Sequence, residues 1–138
     1  MLRLTPVVLA ALALAVVVVS VAAPTVAAEE KTVEVTVDCR SGKKGPGAVT
    51  VDPWLLWLKK NDDTTWNLGN GEHADKRIVV EAKPGQQWPY REKSHEGTNG
   101  QASARGMTDF PLGDFRYNIR FYCDGEEFVI DPRVRVGP

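Results

Sequence analysis

The most regular stretch of the chain is "TVEVTVDC", Thr32 to Cys39. Val33, Val35, Val37 and Cys39 fall on one face, and Thr32, Glu34, Thr36 and Asp38 on the other. A period of two predicts a half-buried β-strand, because successive side chains of an extended backbone point to opposite sides. The period returns near the C-terminus. In "FRYNIRFYC", Phe115, Tyr117, Ile119, Phe121 and Cys123 are in phase, and in "FVIDPRVRV" Phe128, Ile130, Val134 and Val136 are. Between these lie "AVTVDPWLLWL", "TTWNL" and "KRIVVEA", runs separated by the turn sequences "KKNDD" and "GNGEHAD". Pro53 interrupts the first of them and predicts an edge, a bulge or a kink, since proline has no amide hydrogen for a ladder. Asp131 and Pro132 repeat the same punctuation. The pattern gives six or seven short strands, no amphipathic helix and no internal repeat. It predicts an all-β Greek-key sandwich of about 6–8 strands.

Two stretches break the pattern. Arg91 to Asp114, "REKSHEGTNGQASARGMTDFPLGD", is polar and without apolar period, so it reads as a long loop and the expected interaction surface. The first 28 residues carry one charge, Arg3, then an apolar run, then the small residues of "TVAA". That is the layout of a secretory signal peptide, with Val26 and Ala28 at the −3 and −1 positions of a cleavage site after Ala28. The rival reading is an uncleaved anchor, since the uncharged run is long enough to span a bilayer. The expected organisation is a leader over 1–28 and one domain over 29–138, secreted or periplasmic, with no stable membrane anchor once the leader is removed. All four tryptophans fall between Trp54 and Trp88. They are expected to fill the sandwich core or its ends. A binding face would need two of them exposed together.

Loss of Arg3 leaves 16 basic against 18 acidic side chains, a net charge of −2. No basic excess is present to attract nucleic acid. The chain lacks a Gly-x-Ser-x-Gly elbow, a phosphate-cradling glycine loop, a His-Glu-x-x-His helix and a Cys-x-x-Cys pair. Its carboxylates sit in turns, where solvation is the default. Catalysis is not expected. Metal binding is the remaining chemistry, because a soft metal such as copper takes thiolate, imidazole and thioether ligands. The expected domain offers Cys39, Cys123, His73, His95 and Met107. His95 lies in a charged loop sequence and is expected to be solvated.

The order of elements resembles the cupredoxins, the blue-copper β-sandwich family. "VTVDPWLLWLKKNDDTTWNLGNGEH" looks like the first half. It has a strand, a Lys-Asn-Asp turn where the family often has Lys-Gly-Asp, then Trp66, and His73 seven residues on. "FRYNIRFYCDGEEFVIDPRVRV" looks like the second half, with Cys123 ending the penultimate strand. The resemblance runs from Val33 to Val136 and implies copper at a centre that includes His73 and Cys123. The family places a His and usually a Met soon after the cysteine. Here Glu126 stands three residues after Cys123, and no His or Met follows. Two ligands have no counterpart, so the resemblance implies a cupredoxin-like scaffold with an altered or missing copper site.

The strand phase points both cysteine side chains inward, each at a strand end. Three states compete: a Cys39–Cys123 disulfide, two buried thiols, or a metal-bound Cys123. The disulfide is expected, because exported proteins oxidise neighbouring cysteines. The functional expectation is a non-enzymatic binding or structural module with a protein or small ligand as partner. The alternative is a copper-binding or electron-transfer protein using Cys123 and His73.

Overall fold

Val33, Val35 and Val37 are fully buried in β1 (Glu30–Cys39), and their polar neighbours are exposed. The computed structural model describes residues 18–24, 27–39, 46–70, 74–106 and 112–138. Most of the expected leader, residues 1–17 and 25–26, lies outside them, as do His73 and Met107. The other strands are β2 (Pro46–Asp52), β3 (Leu55–Leu58), β4 (Asp63–Asn70), β5 (Ala74–Ala82), β6 (Ser94–Gly97), β7 (Gln101–Ala104), β8 (Gly113–Cys123), β9 (Glu126–Ile130) and β10 (Arg133–Val136). They form two facing mixed sheets, ordered β2-β1-β4-β7 and β3-β10-β8-β5-β6, with β9 beside β8. Five of the nine connections cross from one sheet to the other, which makes a β-sandwich of Greek-key type rather than a meander.

Ten strands are described where the pattern predicted about 6–8. Two of the extra strands arise at the Asp-Pro pairs. At Pro53 one run divides into β2 and β3, and the chain passes from the smaller sheet to the larger. At Pro132 another divides into β9 and β10, while the Pro132 carbonyl accepts the Tyr117 amide at 3.2 Å. The remaining two are β6 and β7, which lie within the segment predicted as a long loop. Their inward residues are His95, Gly97, Ala102 and Ala104, all buried. Gly97 lies so close to the Gln101 carbonyl that a Cβ there would sit 1.6 Å from its oxygen. The two short strands turn this corner and link the sheets, β6 pairing with β5 and β7 with β4.

The core lies between the sheets. Val33, Val35, Val37, Trp66 and Leu68 face Leu56, Leu58, Ile78, Val80, Ile119, Phe121, Val134 and Val136. Each such aliphatic or aromatic side chain contributes about 1.5–3 kcal/mol by leaving water. The Lys-Asn-Asp turn follows β3. Asn61 adopts φ 69°, a left-handed conformation that asparagine tolerates better than most residues and that glycine adopts without cost.

Candidate functional site

Cys39 and Cys123 end β1 and β8 and are joined by a disulfide, with their Cα atoms 5.5 Å apart. Strand phase turns both inward, and the two are 1% and 5% exposed. The expected bond is therefore present, and the Cys123 sulfur is not a free thiolate. After Cys123 the chain reverses at once. Asp124 and Gly125 both have positive φ, 49° and 77°, and Cys123 pairs with Glu126, giving a two-residue hairpin. The Gly125 amide donates to Asp75 Oδ2 at 3.0 Å. Ala74, which follows His73 in sequence, pairs with Cys123. The resemblance thus places its expected copper position at this end of the sandwich. The described residues there do not fit copper: the thiol is spent, and the tight hairpin carries Asp, Gly and Glu in place of imidazole and thioether.

Between the sheets, Trp66, Trp88, Tyr90, His95 and Tyr117 form one aromatic cluster. His95 was expected to be solvated, but it is 8% exposed. Its ring lies 6.5 Å from Trp66, 6.2 Å from Trp88 and 5.9 Å from Tyr90, centroid to centroid. The polar atoms of the other rings are satisfied. Trp66 Nε1 donates to the Tyr117 hydroxyl at 3.2 Å, and Trp88 Nε1 to the Glu92 carbonyl at 2.9 Å. The Tyr90 hydroxyl donates to the Asp62 carbonyl at 3.1 Å, so the Thr64 hydroxyl, 2.7 Å away, donates to Tyr90. His95 Nε2 has no partner among the described residues. Burial lowers the His95 pKa and pushes that of Tyr117 up to about 12. The rings fill the interior, so the cluster is core. Two tryptophans match the core expectation, Trp66 and Trp88. Trp54 and Trp57 depart from it, at 48% and 56% exposed.

The outward positions of the larger sheet carry the remaining chemistry. The alternation that buries Val134 and Val136 turns Arg133 and Arg135 outward, and the one that buries Tyr117 turns Arg116 outward. Arg133 lies directly opposite Arg116 across the β10–β8 ladder, and Arg135 opposite Asp114. Arg135 also stacks on Trp57 of β3, 4.6 Å from the ring centre. Lys83 Nζ and Arg116 Nη1 both reach Asp131 Oδ2 at 2.9 Å. Arg133 Nη2 reaches Asp114 Oδ2 at 3.1 Å, and Arg135 grips the same carboxylate with two nitrogens. The hydrogen bond from Arg135 holds the Asp114 pKa below its usual range, and that from Lys83 does so for Asp131. Four cations thus share two carboxylates, a local excess of two positive charges. Gln86, Asp114, Phe115, Arg116 and Arg133 line a cleft of about 350 Å³ beside them. Like charges directly opposite each other on a sheet repel. Each guanidinium has five N–H donors and uses only part of that set on carboxylates.

The sequence reading missed this row because it followed the apolar phase alone. The signal was present in the opposite phase, where "FRYNIRF" and "RVRV" place arginine after arginine. No protein-family model matches the chain, and no curated protein matches it.

Proposed function

We propose that this chain is an exported, non-enzymatic binding module. Its ligand surface is the cationic row of Arg133, Arg116 and Lys83 with the adjoining cleft, and its ligand carries an oxyanion group such as phosphate, sulfate or carboxylate. The observation that carries this reading is the sharing of two carboxylates among four cations at a cleft. Neighbouring strands lie about 4.8 Å apart, so guanidiniums on adjacent strands can grip one anion from two sides. Arginine is suited to this because its planar fork matches oxyanions and it sheds water more readily than lysine. The scaffold is read as cupredoxin-like on the positions of Cys123, Ala74 and the Asn61 turn. Its cysteines stabilise the fold and take no part in copper chemistry. The disulfide accords with export into an oxidising compartment.

Calorimetric titration with inorganic phosphate at low ionic strength tests the reading, with chloride at matched ionic strength as control. A saturable signal is expected, with a Kd of about 1 mM or tighter. R116Q/R133Q should weaken it about tenfold or more, since a hydrogen bond to a charged group is worth about 1.5–3 kcal/mol. Equal binding by that variant, with its fold intact, would remove the row as the ligand surface.

A further inference from the structure

Asp62 is 3% exposed and ends the turn after β3. Its Oδ2 accepts the Lys59 amide at 2.8 Å, and its Oδ1 accepts the Glu29 amide at 3.2 Å. The Glu29 carbonyl in turn accepts the Asp63 amide at 3.0 Å. Glu29 is therefore held on both sides by the segment that opens β4, and β1 begins at the next residue. The described residues before it contribute no strand. Residues 18–24 and 27–28 are exposed, with Val18, Val19 and Val21 each more than three-quarters so. All ten described strands and the disulfide lie within 29–138. The sequence puts its small-residue cleavage signal, Val26 and Ala28, immediately before this clamp.

We propose that hydrolysis of the Ala28–Glu29 bond is a maturation step that completes the fold electrostatically. A leader peptidase adds water across the bond. Ala28 leaves as a carboxylate, and the Glu29 nitrogen becomes an ammonium group. That nitrogen already lies 3.2 Å from Asp62 Oδ1. An amide hydrogen bond thus becomes an ion pair on a carboxylate whose other oxygen is already bonded. Charged residues around the new terminus are Lys31, which pairs with the Glu29 carboxylate, Lys59, whose amide donates to Asp62, and Asp63, whose amide donates to the Glu29 carbonyl. Cleavage even one residue upstream would leave the positive charge on another residue, away from the clamp. This inference rests on the exported reading but not on the oxyanion surface. A cut elsewhere would leave the phosphate titration unchanged, and a failed titration would leave the cut unchanged.

The test begins with the full-length chain expressed in a secreting host, followed by intact mass and N-terminal sequencing of the exported product. Glu29 is expected as the first residue, and any other first residue overturns the proposal. Melting temperatures are then compared for chains beginning at Glu29 and at Ala28. The longer chain should melt about 5 °C lower. The difference should vanish in Asp62→Asn. Equal melting, or a difference that persists in D62N, overturns the ion pair. Should D62N fail to fold, titration of the Glu29 α-amino group by NMR decides the matter. A pKa above about 8 is expected beside a carboxylate, and an ordinary or lowered value overturns the ion pair.

Discussion

Replacing both cysteines with alanine should cost this protein a large share of its stability, and the structure sets the amount. Cys39 and Cys123 are 84 residues apart in sequence, so their bond closes a loop that spans nearly the whole domain. In the chain-entropy treatment a loop of this length removes about 15 cal/mol/K from the unfolded ensemble, or about 4–5 kcal/mol at 25 °C. Both side chains are buried, so the variant also loses a little packing. Native domains are stable by only about 5–15 kcal/mol, so the loss is a substantial fraction of the whole. Guanidinium unfolding of C39A/C123A against the oxidised parent gives the difference directly, and reductant added to the parent should reproduce it. The expected fall in Tm is about 15–20 °C. A fall under about 3 °C, with the parent's oxidised mass confirmed, would refute the loop-closure reasoning for this fold.

Three further perturbations read other parts of the structure. Gly97→Ala places a Cβ on the Gln101 carbonyl and should destabilise by about 2 kcal/mol or more, read as a lower urea midpoint; an unchanged midpoint would show that the β6–β7 corner relaxes freely. Tyr117→Phe leaves the buried Trp66 Nε1 without its acceptor and should cost about 1–3 kcal/mol in the same assay. Burial lowers the His95 pKa from its usual value near 6.5. Above pH 6.5 folded and unfolded chains both carry it neutral, while below that value the unfolded chain takes a proton that the folded one resists. Stability should therefore fall as the pH drops from about 6.5 towards the folded pKa, by up to about 1.4 kcal/mol per pH unit, and His95→Gln should flatten the slope between pH 7.5 and 5.

The parts of the fold that were legible in the sequence are those built on apolar alternation. β1 and β8 each present a row of Val, Ile or aromatic residues to the core, and the period marks them directly. The phase of β1 and β8 also made the disulfide legible, because it pointed Cys39 and Cys123 to the same interior. The β6–β7 pair was illegible for a physical reason. Its strands are four residues long, and their inward positions hold histidine, glycine and alanine, which carry little hydropathy. A corner needs small residues where the backbones approach, and small residues make no apolar period. The burial of His95 was illegible for the same cause, its surroundings in sequence being charged while its surroundings in space are aromatic. The candidate site lay in the phase opposite to the core. Arginines on outward strand positions are ordinary one by one, and only the register that sets Arg133 against Arg116 makes a row of them.

Oxyanion binding by the outer face of the larger sheet can be read residue by residue in an amide-resolved NMR titration of the oxidised domain with inorganic phosphate. Saturable shifts confined to the amides around Asp114–Arg116, Arg133 and Gln86, absent with chloride at equal ionic strength, are the predicted result. Shifts spread evenly over both sheets, or none up to tens of millimolar phosphate, would contradict it.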